Sequence, residues 1–187
     1  MSLLSYNQLV DLLDRGILDK SDYERINAAS IDLVLGENIM LEVVEKPDSF
    51  GNYPEIDMLD KHANHLYPVK MGPEGITVPP GAVVLAQTVE IFHLPNNISA
   101  EYKLKSTQAR NFFGHLLAGW CDAGWNGSVL TLEFVNHLQY HSTRIKPGMK
   151  CGQICFMEHA EVPADRSYAA RGQYNGDRSV TAGKGLK

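Results

Sequence analysis

Apolar residues fall at two spacings along this chain, and the change of spacing marks where helix gives way to strand. In SYNQLVDLLDRG, Ser5 to Gly16, the residues Leu9, Leu12 and Leu13 make one stripe of a 3.6-residue period. Ser5 and Gln8 have capping-box spacing, and Gly16 stands where a C-terminal cap would. A short N-terminal helix is expected there. After ERINAASIDLVLG the pattern turns to strands. GITVPPGAVVLAQTVEIF reads as a strand, a Pro-Pro-Gly turn and a second strand, and STRIKPGMKCGQICFMEH repeats the device at Pro147-Gly148. Several short strands with turns between them imply a mostly β chain, an antiparallel sandwich or barrel. The stretch from Glu45 to Lys70 is polar and contains prolines, so a loop or excursion is expected. From Ala164 onward apolar periodicity is weak, which suits either a disordered end or an arm that orders on a ligand or neighbour.

Composition narrows this picture. The 187 residues suit one domain, or one domain with a tail, and 44% hydrophobic with 21% charged residues is ordinary for a soluble globular chain. A net charge of -5 argues against bulk electrostatic binding to nucleic acid while leaving room for a local basic pocket. No apolar run is long enough for a membrane span, and MSLLSYNQLV lacks the basic and apolar regions of a signal peptide. A cytoplasmic location is the default expectation. Cys121, Cys151 and Cys155 make neither a disulfide framework nor a paired zinc motif, so small buried or partly buried thiols are expected.

The chemistry concentrates in KLKSTQARNFFGHLLAGWCDAGWNGSVLTLEF, Lys103 to Phe134. In SVLTLEFV the side chains alternate: Leu130, Leu132 and Phe134 face one side, Val129, Thr131, Glu133 and Val135 the other. Glu133 thus sits among apolar neighbours, where a carboxylate suits proton shuttling; an edge-strand glutamate facing water is the plainer alternative. KSTQAR looks like a short helical turn with Ser106 and Arg110 on one face, Ser106 or Thr107 as its cap, and Lys105 and Arg110 as the cations of an anion site. An ordinary charged surface turn would read the same way. In DAGWNG, Asp122 could accept from a sugar hydroxyl, and Gly124 and Gly127 would let backbone approach a ligand closely; a tight turn alone would also need them. HAE, His159 to Glu161, is half of a zinc-deaminase signature whose cysteine half is missing.

Taken together, ERINAASIDLVLG, TVPPGAVVLAQT, KSTQAR, AGWCDAGWNGSVLTLEFVN and KPGMKCGQICF resemble the dCTP deaminases of the dUTPase-like superfamily, over nearly the whole chain. The resemblance implies a distorted antiparallel β-barrel over residues 1–163 with a short N-terminal helix, and an arm over 164–187 that closes on the nucleotide. It implies a homotrimer with sites at subunit interfaces. The activity implied is zinc-independent hydrolysis of dCTP to dUTP and ammonia in pyrimidine deoxynucleotide metabolism, with magnesium carried by the phosphates and no metal held by protein side chains. Glu133 matches the catalytic glutamate. Ser106 and Arg110 match the residues that hold its water, and Ala118 the position whose carbonyl helps place it. Lys105, Thr107, Gln108 and Ala109 belong to the matching phosphate segment with Ser106 and Arg110. Asp122 matches the deoxyribose contact, beside Trp125, and Thr131 with Leu132 the base pocket. His115 falls at a position linked to feedback inhibition by dTTP, and Tyr168, Gln173 and Asp177 at tail positions that close over the nucleotide.

The chain also departs from that pattern. GSVLTLE is one residue longer than usual, Gln173 stands where a lysine is common, and Asp177 where a glutamine is. The last two changes remove a positive charge and add a negative one near the expected phosphates. A deaminase that also cleaves the phosphate chain, a dCMP-preferring deaminase, and a non-catalytic nucleotide-binding regulator are the alternatives. The joint presence of Ser106, Arg110 and Glu133 favours an enzyme.

Overall fold

A computed structural model describes residues 2–60 and 65–186. Positions 61–64 of the expected excursion, and Lys187 of the expected arm, lie outside the described residues. The strands are Ser2–Leu3 (β1), Leu18–Asp19 (β2), Ile31–Val34 (β3), Asn38–Glu42 (β4), Leu66–Lys70 (β5), Ile76–Val78 (β6) and Val83–His93 (β7). They continue with Ile98–Lys103 (β8), Phe113–His115 (β9), Trp120–Cys121 (β10), Asn126–Asn136 (β11), Thr143–Ile145 (β12) and Lys150–Glu158 (β13). The helices are Tyr6–Asp14 (α1), Ser106–Arg110 (α2) and Tyr168–Arg171 (α3).

Helix α1 forms as its period predicts: Leu9 and Leu12 are buried, the Ser5 amide donates to Gln8 Oε1 at 3.0 Å, and Gly16 takes φ +72°. The strands pair antiparallel in three sheets among the described residues. One runs β1-β13-β8-β10 with β3 also on β13, one runs β5-β4-β7-β11-β9 with β2 also on β7, and β6 pairs with β12. An isolated bridge between Leu35 and Thr88 ties the first two sheets together. The expected barrel is therefore present as linked antiparallel sheets around one core and not as a single hydrogen-bonded ring. Phe92, Phe134, Phe156, Leu33 and Ile154 are at most 1% exposed and fill that core.

Two turns behave differently from simple hairpins. The strands flanking Pro79-Pro80-Gly81 do not pair with each other, nor do those flanking Pro147-Gly148. Instead β6 pairs with β12, so the two turns are laid side by side, while β7 and β13 enter the large sheets. Asn136, fully buried, pins this corner by donating to Val78 O at 2.9 Å and His141 O at 3.0 Å. The expected excursion from Glu45 to Lys70 holds a strand at its end: β5 pairs with β4, Met40 opposite Pro68. It is an edge strand, which is where a sheet tolerates proline.

A carboxyl group is buried in the core. The Glu90 side chain is 0% exposed, takes the Val34 amide at 3.2 and 3.3 Å, and pairs with Arg25. Burial, opposed by the Val34 N–H and Arg25, pushes its carboxyl up to about 7. Among the described residues no helix is long and apolar enough to cross a membrane. Cys121 and Cys151 are buried and Cys155 half-buried, as expected for structural thiols. His159 is engaged locally, 2.9 Å from Ser99 Oγ and 2.8 Å from Ala160 O.

Candidate active site

Strand β11 lies inside its sheet, between β7 and β9, so Glu133 is not on an edge strand. Thr131 and Glu133 are half-buried and face a cavity of about 390 Å³, while Leu132 and Phe134 point into the core. That volume falls in the range of small-molecule sites. Register shifts between Asn126 and Ser128 and between Val129 and Thr131 interrupt the regular β7–β11 ladder upstream. At the first, β11 carries one residue more than β7; at the second the extra residues are on β7, and the Leu130 amide turns to Thr88 Oγ1 at 3.0 Å. Leu130 stays in the core cluster with Leu132 and Phe134, as strict alternation predicts, and also borders the cavity beside Val129. Leu132, fully buried, cannot offer its side chain to a base and does not line the cavity.

His115, at the end of β9, faces Glu133. Its Nε2 is 3.1 Å from Glu133 Oε2, with the histidine side chain 3% exposed and the glutamate 25%. The angle does not make this a hydrogen bond, and neither atom has a hydrogen-bond partner among the described residues. The contact is therefore a close electrostatic one. The Leu117 amide points at His115 Nδ1, 3.1 Å away. An amide can only donate, so Nδ1 accepts, and the neutral ring carries its proton on Nε2, the atom toward Glu133. A tilted ring contact with Tyr102, centroids 4.6 Å apart, packs against the ring. The loop that follows holds Ala118 at the cavity wall. It is anchored by the Leu116 amide on Glu133 O at 3.1 Å and the Tyr102 amide on Gly119 O at 2.8 Å. Between these anchors Leu117 is forced to φ +65°, an uncommon conformation for a branched side chain.

The helical turn expected at KSTQAR forms as α2, but Ser106 and Thr107 do not cap it. Lys105 is the cap residue, and its amide meets Gln108 Oε1 at 3.4 Å. Ser106, Thr107, Ala109 and Arg110 are exposed, and none of residues 105–110 lines the cavity that holds Glu133. Lys105 is instead bound to Asp32, which Lys150 also meets at 2.6 Å and Asn27 at 2.8 Å. Burial alone would raise the Asp32 carboxyl; the lysines and Asn27 outweigh it and hold the group below its ordinary value.

Asp122 and Trp125 also line the cavity. Asp122 accepts from Trp120 Nε1 at 2.8 Å, and Trp125 is buried with its Nε1 donating to Tyr174 O at 2.9 Å. Trp125 thus fastens the arm as well as lining the site. Gly124, at φ +85°, is not an approach point for a ligand: a Cβ there would meet Asn96 Oδ1 at 2.8 Å and Ser167 Cβ at 2.9 Å. Its role is to let the start of the arm cross the turn. Gly127 turns the chain at φ +70° and would seat a Cβ 3.7 Å from Arg178, again within the protein.

The arm packs on its own chain. Val129 donates to Asp177 O at 2.9 Å, Val180 donates to Gln87 Oε1 at 2.8 Å, and the Tyr174 amide reaches Tyr168 Oη at 3.3 Å. Tyr168 and Asp177 reach the cavity wall; Gln173 does not, its amide donating to Gly185 O at 3.2 Å. Asp177 is paired: Lys184 Nζ lies 2.9 and 2.7 Å from its two oxygens, and Thr181 Oγ1 donates at 3.1 Å. Beyond it, the Leu186 amide bonds Met58 O at 2.9 Å, which brings the Glu45–Lys70 excursion against the arm.

The family model described as dCTP deaminase-like matches residues 3–159. The chain belongs to the dCTP deaminase family. It is accordingly an enzyme, a hydrolase. A dCTP deaminase, dUMP-forming, of Persephonella marina is 34% identical over 173 residues, covering 90% of this chain and 87% of the relative. One of Methanoregula boonei is 35% identical over 187 residues, covering 95% and 93%. The 2'-deoxycytidine 5'-triphosphate deaminase of Agrobacterium tumefaciens shares the fold with a TM-score of 0.65 at 22% identity. That likeness covers 84% of this chain, which spans about half, 48%, of that longer chain.

Sequence reasoning missed several residues of this deaminase's cavity: Leu85, Trp120, Tyr174, and Thr181 to Gly183. Leu85 was legible, because it lies directly opposite Glu133 in the β7–β11 ladder. The arm residues were not, because nothing in their local pattern fixes the face they present.

Proposed function

We propose that the chain hydrolyses the amino group of dCTP with Glu133 as general acid and base. Glu133 takes a proton from water while the oxygen adds to C4 of cytosine. The proton passes to ring N3, and a second transfer to the amino group lets ammonia leave as the C4 carbonyl forms. The observation that carries this is Glu133 on an internal strand, facing a cavity with Asp122, Thr131 and Ala118 around it and His115 Nε2 at 3.1 Å. In this reading Thr131 meets the base, Asp122 the sugar, and the Ala118 carbonyl the water. His115 acts by positioning Glu133. Magnesium arrives with the triphosphate as part of the substrate.

The exposure of Ser106 and Arg110, away from the cavity of their own chain, supports a site completed by a neighbouring subunit. Phe112, Leu116, Leu117 and Trp120, all more than half exposed beside it, suit burial there. A homotrimer is the assembly proposed, with residues 105–110 of one subunit serving the phosphates and water of the next. The arm from 164 onward is the lid.

Sequence reading alone puts dUTP first as product. The names of the relatives favour the two-step alternative, in which dUTP formed by deamination loses diphosphate to a second water and dUMP is released. Anion-exchange analysis of products from dCTP, dCMP and dUTP, with ammonia measured in parallel, tests the proposal. Ammonia with dUMP and diphosphate from dCTP is expected. Ammonia with stable dUTP would retain the deaminase and remove the second step; no ammonia from either cytidine nucleotide would remove both.

A further inference from the structure

The cavity facing Glu133 presents three carboxylates, Asp122, Glu133 and Asp177, and none of its lining residues is lysine or arginine. A triphosphate entering it needs cationic partners at the arm side of the wall as well as from residues 105–110. We propose that Lys184 is such a partner: a phosphate-binding residue held at the cavity rim by Asp177. This rests on the nucleotide-hydrolase reading above.

Lys184 Nζ spends its three donors on Asp177 Oδ1, Asp177 Oδ2 and the Gln173 carbonyl at 2.9, 2.7 and 3.0 Å, and sits 4.9 Å from the centre of the Tyr174 ring. Its side chain is 35% exposed, so the ammonium is within reach of solvent and of a ligand in the adjoining cavity. The two bonds to one carboxylate make one of them exchangeable. Asp177 keeps the Thr181 hydroxyl when a phosphate oxygen takes the other place. The lysine backbone is fixed independently of the ion pair: its amide donates to Tyr174 Oη at 3.1 Å, and the neighbouring Leu186 amide is bonded to Met58 O. Gly185 is required at φ +76°, since a Cβ there would stand 2.7 Å from Leu59 O. The excursion thus holds the end of the arm so that Lys184 faces Asp177. The pair also cancels the negative charge that Asp177 would otherwise turn toward the phosphates.

Equilibrium titration with magnesium dCTP and with dCMP, followed by tryptophan fluorescence, tests this on the full-length protein. Lys184→Met is expected to weaken dCTP by about 10- to 100-fold and dCMP by less than about 3-fold. Lys184→Arg should retain most of the dCTP affinity, and Asp177→Asn should tighten dCTP several-fold by releasing the cation and removing an anion. Equal weakening of both nucleotides in Lys184→Met, or unchanged dCTP binding, would overturn the assignment. So would a wild type that binds neither nucleotide. Should the wild type show the expected binding pattern yet release no ammonia, the deaminase reading falls and the Lys184 assignment stands.

Discussion

His115 Nε2 lies 3.1 Å from Glu133 Oε2, while the Leu117 amide occupies the other ring nitrogen. The arrangement sets which histidine nitrogen bears the proton and which glutamate oxygen it faces. His115→Phe keeps a ring against Tyr102 but removes Nε2. It should lower kcat by about 10- to 100-fold, change KM little, and displace the acid limb of the pH–kcat profile. A variant with unchanged kcat and pH profile would show that His115 only packs there.

The buried Glu90 gives the fold a pH dependence that owes nothing to the active site. Its folded carboxyl titrates near 7, against an ordinary 4.5. Between those values the unfolded chain has lost the proton and the folded chain retains it, so stability falls as pH rises from about 4.5 to 7 and levels above. The gap corresponds to about 3 kcal/mol. Glu90→Gln should flatten the fall in thermal midpoint between pH 5 and 7.5, with Arg25 still held by Asp22 at 2.9 Å. The test is a series of melting curves; parallel slopes for the two proteins would contradict it.

Removing residues 172–187 should separate catalysis from folding. Among the described residues of that segment only Val180 is a buried hydrophobic. Its loss costs the core little, and Trp125 Nε1 and Gln87 regain water. The melting midpoint should fall by less than about 5 °C, while kcat/KM for dCTP falls by more than about 10-fold, as for loss of a closing segment. A collapse of the melting curve with turnover per folded molecule intact would contradict the lid reading.

Asp32 holds Lys105, a residue of the proposed phosphate segment, from the core side. Asp32→Asn removes the anion shared by Lys105 and Lys150. It should destabilise the fold by about 1–3 kcal/mol, read from denaturant midpoints, and raise KM for dCTP more than for dCMP. Equal KM values for wild type and variant would show that Lys105 needs no such support.

What could be read from the sequence was what depends on neighbours along the chain. The 3.6-residue stripe gave α1, the two-residue period set Glu133 and Thr131 apart from Leu132 and Phe134, and KSTQAR did form a helical turn. The errors came where a distant partner decides. Pro68 hid an edge strand whose partner is Met40. Gly124 looked like a ligand contact because Ser167, which it accommodates, is 43 positions away by numbering. The capping reading chose Ser106 by residue type, but the chain enters α2 one residue earlier. Gln173 and Asp177 read as a loss of positive charge because Lys184, in a glycine-rich end with no period, gave no sign that it folds back onto Asp177.

Glu133 is the residue proposed to perform the deamination. The most direct test of that role is ammonia release from magnesium dCTP by wild type and Glu133→Gln at equal nucleotide occupancy, with occupancy measured by titration of each protein. Glutamine keeps the shape but cannot cycle the proton. The expected result is dCTP affinity within about 3-fold of wild type and ammonia release slower by about 10²-fold or more. Near-normal release from the Glu133→Gln protein would contradict it.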